Sequence, residues 1–516
     1  MSDIISLFES FMQQGGGGLL LPEMMLVLFA IGILLTDYLL EPRDKYFNAL
    51  MAMLGVIFSA ICLWQLRGVA ERGVLGFSNS ILVDPFFLFF GFILLVATAL
   101  VILLSARYLK IEDENHGEYY ALLLFAAVGM MFMVSGYDLI VEFLGLETMS
   151  LSFYVLSGFL RRDRRSNEGA VKYLLLGAFG SAILAYGFSI LYGLGATLDA
   201  AQFSESLPPR TNLDVIQTAV SMRGHGDLLV LLALATVLAG LFFKIAAVPF
   251  HQWAPDVYEG APTPITAYIS VASMTASFAL LLRLLLTVFW PVRLDWMMLL
   301  AGVAIASLTI GNFAAITQTN VKRMLAYSSI SHVGYLLLGV VAGVSSPQGF
   351  LTGMKGVAFY LFVYGFMTIG AFAVIIVLQR QGILSEELDD FNGLYRRSPL
   401  SAAVLLICMM SLAGIPPLAG FIGKYFILQA LIITGHNELA LVAALYIVPA
   451  LYYYFRVVAH AYLYEPGNAP SPILTVGQRV AFAVLCFVTV AAGVFPESFV
   501  ELAKYSVMFP TGFSGH

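Results

Sequence analysis

Four lysines interrupt apolar stretches of the chain that are long enough to cross a lipid bilayer: Lys172, Lys244, Lys355 and Lys424. A charged lysine at the centre of a bilayer costs about 2.5–3.5 kcal/mol even on the most lenient insertion scale. Burial disfavours the charged form of an amine, so a lysine at that depth can bind and release a proton. The four lysines therefore indicate proton-transfer chemistry inside a membrane.

Two acidic residues share the apolar stretch DLIVEFLGLETMSLSFYVLSGF. Glu147 lies well inside it, and we expect its carboxylate to be the buried partner of Lys244, because a nearby carboxylate favours the charged form of an amine. Movement of that partner would switch the affinity of the lysine for a proton. Glu142 lies five residues earlier, on another face of the helix and nearer its end. The alternative is that Glu147 is paired only for packing.

Other charged residues have a structural explanation beside a functional one. Glu168 and Lys172 are four residues apart, which allows an ordinary ion pair on one helix face. His332 stands among hydroxyl groups in YSSISHVGY, so it is either a hydrogen-bonded core residue or a member of a proton relay. Arg283 and Arg456 lie near predicted helix ends, where we expect their guanidinium groups to reach the membrane surface.

Prolines predict two helix breaks beside the lysines. Pro249 follows Lys244 by five residues and leaves a carbonyl of the preceding turn without its helical partner. Pro416 and Pro417 interrupt LAGIPPLAGFIGKYF just before Lys424. Unwound backbone at membrane depth is tolerated only where it is buried or lines a wet cavity. Broken helices at matching positions of two repeats are typical of a transport site.

The composition predicts an all-α polytopic membrane protein. Of the 516 residues, 60% are hydrophobic and 11% are charged, whereas about a quarter of the residues in a soluble domain are charged. The apolar stretches predict about fourteen transmembrane helices, of which the seventh and the twelfth are broken. They lie near residues 19–40, 47–66, 85–105, 118–136, 138–160, 168–195, 226–252, 262–288, 294–318, 323–344, 352–378, 399–432, 440–461 and 475–496.

The spacing of the lysines predicts two inverted five-helix repeats. Lys172 precedes Lys244 by 72 residues and Lys355 precedes Lys424 by 69, and each pair lies on consecutive spans. The copies are five spans apart, and an odd number of spans reverses the second copy in the membrane. We predict a single membrane domain over residues 1–516 with N-terminal helices 1–3 (1–117), a first repeat (118–288), a second repeat (294–461), and a last helix and tail (475–516).

Lysine and arginine in the loops predict the orientation, because cytoplasmic loops carry an excess of them. Loops after even-numbered spans and the tail hold few: Arg67, Arg72, Arg210, Arg223, Arg293 and Lys504. We therefore place both termini on the outer, non-cytoplasmic side of the membrane. Loops after odd-numbered spans hold most of them: Arg43, Lys45, Arg107, Lys110, Arg161, Arg162, Arg164, Arg165, Lys322, Arg323, Arg380, Arg396, Arg397 and Arg479.

The chain lacks the sequence motifs of a cofactor site. Cys62, Cys408 and Cys486 lie in apolar stretches and no CxxC is present, which argues against a cysteine-rich metal or iron–sulfur cage. There is no P-loop, no GxGxxG after a strand and no HExxH. Redox or ATP energy, if used, must come from partner subunits.

Five stretches carry a resemblance to a known family. They are GLETMS (145–150), RRSNEGAVKYLLLGA (164–178), FKIAAVPFHQWAPDVYEGAPTP (243–264), TQTNVKRMLAYSSISHVGYLL (317–337) and SLAGIPPLAGFIGKYF (411–426). Over nearly its whole length, the chain resembles the antiporter-like membrane subunits of respiratory complex I. These subunits are also related to those of multisubunit cation/proton antiporters. The third and fifth stretches are highly specific.

The resemblance implies a fourteen-helix fold with a proton path through buried polar residues along the membrane midplane. Position by position, Glu147 is similar to the key acidic residue of the fifth helix and Lys244 to the key lysine of the seventh. Lys424 is similar to the terminal lysine of the twelfth helix, and Lys172 matches a lysine early in the sixth. With His332, these residues are the expected proton-carrying site.

The resemblance also implies the partners. The chain would be a translocase subunit of a proton-translocating NADH–quinone oxidoreductase in a bacterial cytoplasmic (inner) membrane. It would hold no cofactor and no metal itself. NADH, FMN, iron–sulfur clusters and quinone are expected in partner subunits. The expected partners are the sister antiporter-like subunits and small helical subunits of the membrane arm, together with the lipid bilayer, and no nucleic acid.

One position departs from the family pattern. Members usually carry a lysine in the eighth helix, in a stretch resembling ATASKIAIF, whereas this chain has SVASMTASF with Met274 at that place. Methionine cannot carry a proton, so the path lacks its usual middle station. We expect Ser273, Thr275, Ser277 and His332 to support a water wire across the gap.

Two alternatives to proton pumping remain open at this point. The first is a subunit of a Na⁺ or K⁺/proton antiporter with the same fold and no redox partners. The second is a structural membrane subunit that has lost pumping, which only Met274 favours. The presence of Glu147, Lys244 and Lys424 argues against it, because buried charge without a role is costly.

Overall fold

The computed structural model describes residues 16–41, 44–198, 209–379, 386–466 and 471–507. Helices α1 to α6 span Leu21–Asp37, Tyr46–Gln65, Pro85–Glu112, Gly117–Ser135, Leu139–Ser157 and Arg164–Gly195. Helices α7 to α12 span Leu213–Arg223, Leu228–Lys244, Trp253–Gly260, Thr263–Leu286, Arg293–Thr317 and Val321–Ser345. Helices α13 to α18 span Pro347–Leu378, Pro399–Ala413, Ala419–Ile433, Asn437–Leu463, Val476–Val494 and Pro496–Ser506.

Shorter elements connect these helices. Strands β1 (Val74–Gly76) and β2 (Ile81–Val83) form an antiparallel hairpin, with Val74 opposite Val83. Short helical segments cover Gly17–Leu20, Arg67–Ala70, Trp290–Val292, Leu388–Phe391 and Leu394–Arg397.

Within the described residues, 12 helices are long and apolar enough to cross a membrane. They correspond to all of the predicted spans except the seventh and the twelfth. The twelfth is a pair of shorter helices, α14 with α15. The seventh, predicted to end at residue 252, contains α8 and the break after it, and the chain resumes as α9 just beyond that predicted end. The prediction of an all-α polytopic membrane protein with these two broken spans is confirmed.

Both breaks lie where the prolines predicted them. Helix α8 ends at Lys244, and Ala246 then adopts a φ of 55°, in the left-handed region that few non-glycine residues enter. Helix α14 ends at Ala413, and Gly414 follows with a φ of 90°, which glycine allows because it has no Cβ. The chain therefore leaves the helix next to Lys244 and resumes it shortly before Lys424.

Three long helices form the centre of the molecule. Helices α10, α12 and α13 are buried along nearly their whole length, whereas α1, α2, α6 and α11 are buried on one side. A helix that is apolar all round and covered by protein belongs to the core. The exposed apolar sides of the peripheral helices are the surface expected to face lipid.

Matching elements of the two halves pack in matching pairs. Helix α4 packs on α5 and α6 packs on both α8 and α9, as α11 packs on α12 and α13 packs on both α14 and α15. Single β-bridges join Asp138 to Asn212 and Asn320 to Glu387, so the residues before α5 and α12 pair with the loop beyond the next helix. These correspondences agree with the inverted repeat, whose residue ranges stay a prediction.

The orientation in the membrane also stays a prediction. Arg43 and Arg380, both assigned to the cytoplasmic side, lie outside the described residues, as do the chain ends 1–15 and 508–516. The end of the bundle at which α3 and α5 begin and α4 and α10 end is the predicted outer side, and we call it the outer end.

The expectation that Arg283 reaches the membrane surface is wrong. Its side chain is fully buried, with Nη1 2.8 Å and Nη2 3.3 Å from the two carboxylate oxygens of Asp84. Nη2 also donates to the Val134 carbonyl at 2.8 Å. Arg456 is partly exposed and donates to two carbonyls at the end of α11. The counter-charge for Arg283 comes from a residue 199 positions away, which its local sequence does not reveal.

The Asp84–Arg283 pair predicts a specific loss of stability. Asp84→Asn keeps the side-chain oxygen that caps α3 through Phe87 N at 2.8 Å, but it removes the negative charge. An uncompensated buried charge costs about 3–5 kcal/mol. We therefore expect the purified protein or its assembly to unfold at a lower temperature in a thermal melt.

The control is the double variant Asp84→Asn with Arg283→Met. Replacement of both members of a buried pair is often close to neutral, because no charge is left behind. We expect it to melt at a higher temperature than Asp84→Asn alone, and an equal or lower melting temperature would contradict this account.

Candidate functional site

Lys244 lies at the first helix break with its amine directed at α5. The residue is 4% exposed. Its Nζ donates to Ser150 Oγ at 2.7 Å and lies 3.4 Å from the Tyr154 hydroxyl. Nζ is also 5.7 Å from the centre of the Tyr154 ring, within reach of a cation–π interaction. Neutral groups of α5 thus hold the amine.

Glu147 is on the same face of α5 but does not touch the amine. Its charge acts on Lys244, yet among the described residues the two form no ion pair within 4.0 Å. Its Oε1 is buried without a hydrogen-bond partner. Glu147, Ser150 and Tyr154 follow the spacing i, i+3, i+7, which places them on one helix face. Ser150 therefore occupies the place at the amine that we expected for Glu147.

Lys424 lies at the second break and binds backbone instead of side chains. The residue is 2% exposed, and its Nζ donates to the carbonyls of Leu412 at 2.9 Å and Ala413 at 3.0 Å. These carbonyls end α14 and have no partner within that helix. The end of a helix also carries partial negative charge, which attracts a cation. Lys244 precedes its break and Lys424 follows its own, so the two amines reach the breaks from opposite chain directions.

His332 is buried on α12 between two tyrosines. Its Nδ1 is 2.5 Å from the Tyr360 hydroxyl and its Nε2 is 2.9 Å from the Tyr454 hydroxyl. A neutral imidazole donates from one nitrogen and accepts at the other, so the ring connects the two hydroxyls. The Tyr360 ring packs against Gly423, the neighbour of Lys424. The structure thus brings His332 and Lys424 into one polar region.

Neighbouring aromatic rings extend from the first lysine towards this region. The ring centres of Tyr154 and Tyr173 are 4.9 Å apart, and those of Tyr173 and Trp253 are 4.7 Å apart. The ring centres of Trp253 and Tyr258 are 6.4 Å apart. On the other side, the Tyr364 ring lies 5.2 Å from that of His332.

Hydroxyl groups accompany these rings. Tyr364 donates to Ser329 Oγ at 2.8 Å, and Ser329 also interacts with Tyr258. Tyr173 interacts with Ser273, the residue before Met274. Together they form a buried row of polar groups that passes beside Met274.

Met274 itself is buried and follows directly on a π-helical turn, Ile269–Ser273. Such turns occur mostly within α-helices and often at functional sites. Thr275 Oγ1 and Ser277 Oγ are buried without hydrogen-bond partners. The expected water wire across the gap stays a prediction.

The structure places Lys172 away from the buried site. Its side chain is 42% exposed and forms ion pairs with Glu168 at 2.9 Å and Asp256 at 2.8 Å. The local pair that the spacing allowed is therefore confirmed. Arg323 Nη1 lies 2.8 Å from the other oxygen of Asp256.

Lys355 occupies the matching place in the second half. It stands eight residues after the first residue of α13, as Lys172 does in α6. It is partly exposed, with Nζ 4.9 Å from the centre of the Phe426 ring. Neither residue shares the enclosed setting of Lys244 and Lys424.

Sequence reasoning missed most of the groups that touch the buried amines. Ser150 and Tyr154 had a usable signal, their helical spacing from Glu147. Tyr360 and Tyr454, which contact His332, had none, because they lie on other helices, 28 and 122 positions away in the chain. Among the described residues, no group of three or more His, Cys, Asp or Glu could hold a metal ion.

Two broken helices with buried lysines beside unwound backbone define a membrane protein of the transport class. The family model described as NADH:quinone oxidoreductase/Mrp antiporter matches residues 136–448, more than half of the chain. The chain therefore belongs to this family, and its resemblance to the antiporter-like subunits is confirmed.

Individual relatives show which members of the family this chain is similar to. The chain is 49% identical over 495 residues to "NADH-quinone oxidoreductase subunit N 2" of Solibacter usitatus, covering 95% of this chain and 97% of the relative. A solved chain of respiratory complex I from Thermus thermophilus with bound aureothin is 28% identical, with a TM-score of 0.76, covering 94% of this chain and 99% of that one. A chain of the Mrp complex from Dietzia sp. shares the fold at 21% identity and a TM-score of 0.73, covering 94% and 97%.

The backbone conformation at the break beside Lys424 predicts that Gly414 does not tolerate a side chain. A Cβ at Gly414 would lie 3.0 Å from Lys424 Cδ, in a backbone conformation that costs a side-chain-bearing residue about 1–2 kcal/mol. We expect Gly414→Ala to lower the melting temperature and to weaken any activity that depends on Lys424.

The matched control is Gly302→Ala within α11. A Cβ there meets no atom within 4 Å, and alanine is favoured over glycine inside a helix by about 1 kcal/mol. We expect it to be neutral or stabilising in the same melt. Equal effects of the two substitutions would show that the second break does not require a glycine.

Proposed function

We propose that the chain is a proton-translocating membrane-arm subunit, of the subunit N type, in an NADH–quinone oxidoreductase. Protons move through its buried lysines and hydroxyls while electrons move through partner subunits. The complex is the enzyme, and this chain contributes no redox centre to it. NADH, FMN, iron–sulfur clusters and quinone belong to partner subunits.

The observation that carries the proposal is the setting of Lys244. A salt bridge would hold its amine in the charged form, whereas Ser150 Oγ can accept a hydrogen bond from an ammonium and can donate one to a neutral amine. Both protonation states therefore have a partner in the same geometry. Glu147 lies within electrostatic range of the amine but beyond contact distance, so a change in the charge of its carboxyl group can favour one state.

The proposed proton path follows the buried row of polar groups that passes beside Met274, which we call the polar row. Electron transfer in a partner subunit changes the charge at one end of the membrane arm and alters the interaction of Glu147 with Lys244. The proton then passes along the hydroxyls of the polar row to His332. From there it reaches Lys424, which releases it at the predicted outer side.

The first test is Lys244→Met in membranes that contain the assembled complex. A positioned proton-transfer group contributes about 10²–10⁴-fold to a rate, so we expect quinone reduction and proton uptake into inverted vesicles both to fall by at least about tenfold. Electron input, measured as NADH oxidation by ferricyanide, should be unchanged.

The control is Lys110→Met, at an exposed position near the end of α3. It should leave all three rates unchanged. If Lys244→Met retained both coupled rates, Lys244 would be structural and the non-pumping subunit would be the better account.

A second test addresses the row that passes beside Met274. Tyr364→Phe removes the hydroxyl that donates to Ser329 and keeps the ring. We expect proton uptake to fall by at least several-fold, because loss of a relay group interrupts proton transfer. Tyr327→Phe, on the same helix as His332 but partly exposed, is the matched control and should retain full uptake. Equal uptake in the two variants would exclude Tyr364 from the path.

Because a chain of the Mrp complex shares this fold, we also consider a second function for this chain. A cation/proton antiporter subunit would move protons in exchange for Na⁺ or K⁺ without NADH. Vesicles carrying the protein can be given a Na⁺ or K⁺ gradient with no electron donor. Proton movement under these conditions that Lys244→Met abolishes would favour antiport over redox-driven pumping.

A further inference from the structure

Glu142 is a buried carboxyl that the path described above does not use. It lies in the first turn of α5 at the outer end, is 0% exposed, and neither of its oxygens has a hydrogen-bond partner. Its stem packs on Gly136, where a Cβ would come within 2.8 Å of Glu142 Cγ. Transfer of an isolated carboxylate from water into such a site is prohibitively costly, so the group takes up a proton.

The charged neighbours of Glu142 are already committed to other partners. Arg283, on α10, forms the double hydrogen bond with Asp84, the residue before α3. Asp138, the residue before α5, caps that helix through Ile140 N at 2.9 Å and accepts from Thr211. Glu142 therefore has no counter-charge of its own among the described residues.

The same surroundings make the ionised form attainable. Arg283 Nε is buried without a partner, so one N–H of the guanidinium remains free to face a new negative charge. Glu142 also lies at the N-terminal end of α5, where the helix favours negative charge. Ser135 Oγ, at the end of α4, is a further buried hydroxyl without a partner. A carboxyl group that this site can hold in both the protonated and the ionised form is suited to carry a proton.

We propose that Glu142 is a second proton-carrying carboxyl, placed between Glu147 and the outer end of the first half. This inference rests on the proposed function. Glu147 lies five residues further along α5, a rise of about 7.5 Å, so water must complete the transfer between the two carboxyl groups. The carboxylic acid gives up its proton towards one side, stands as a carboxylate beside Arg283, and is reprotonated from the other side.

A metal cation fits this place less well than a proton. Na⁺, K⁺ and Ca²⁺ are held by several oxygen ligands. Among the described residues, the oxygens without partners here are those of Glu142 and Ser135. The positive charge of Arg283 would also oppose a second cation.

The test uses Glu142→Gln in the assembled complex, which keeps the size of the side chain but cannot carry a proton. We expect normal assembly and normal NADH oxidation by ferricyanide, with a large loss of proton uptake and of coupled quinone reduction. Glu142→Asp, which keeps a carboxyl, should recover part of the uptake.

Glu23→Gln is the matched control. Glu23 is likewise buried, with both oxygens unpartnered, but it lies on α1, and among the described residues no charged side chain acts on its carboxyl group. Without a cation beside it, its ionised form is not within reach. We therefore expect Glu23→Gln to retain full proton uptake.

The outcomes separate this inference from the proposed function. Full uptake with Glu142→Gln but loss with Lys244→Met would overturn the role of Glu142 and leave the proposed function standing. Full uptake with both variants would overturn both.

A second measurement decides the question if Glu142→Gln does not assemble. The infrared difference between the unmodified and Glu142→Asp complexes should contain the C=O stretch of a protonated carboxylic acid. A difference that contains only bands of ionised carboxylates would contradict the proposal.

Discussion

Backbone groups at membrane depth have no water to bind, and they must therefore find partners inside the protein. The two helix breaks show how this chain meets that requirement. At the first, Trp253 Nε1 donates to the Phe243 carbonyl at 2.8 Å, and Val248 N donates to Ser307 Oγ at 3.1 Å. At the second, the amine of Lys424 itself satisfies the last carbonyls of α14. The need to satisfy open backbone thus brings polar groups to the depth at which both lysines lie.

Charged residues inside the molecule fall into two groups with different partners. Arg283 with Asp84 and Lys322 with Glu386 form closed ion pairs at 2.8 Å and 2.9 Å, and all four side chains are almost completely buried. These pairs join distant helices and keep their charges fixed. Lys244 and Lys424 have hydroxyl and carbonyl partners instead. A neutral partner leaves the proton free to move, which is the property that the proposed function needs.

The ion pairs of Arg283 and of Asp256 lie at the two ends of the helix bundle. They hold in place the helices between which a proton would pass. At the outer end, Arg283 joins α10 to the start of α3 and the end of α4. At the opposite end, Asp256 binds Lys172 and Arg323, so α9 is tied to α6 and α12. The half-helix that follows the first break is therefore anchored at its far end, while the residues around Lys244 are held by neutral contacts.

The amino-acid sequence by itself determined the membrane class, the number of spans and the position of both breaks. Composition, apolar stretches and prolines are local properties, and they act in the same way wherever the segment lies. Lys244, Lys424 and His332 could be selected for the same reason, since a charge or an imidazole within an apolar stretch is visible in one dimension.

Only the tertiary structure decided which groups face these residues. It placed Ser150, and not Glu147, at the amine of Lys244, because the rotation of α5 against α8 depends on packing along both helices. It paired Arg283 with Asp84 across 199 positions, where the local sequence indicated the membrane surface. It also left Glu142 without a hydrogen-bond partner, although Glu142 and Glu147 share one apolar stretch. Partners contributed by separate helices depend on how the helices pack, and no periodicity within a single segment records that.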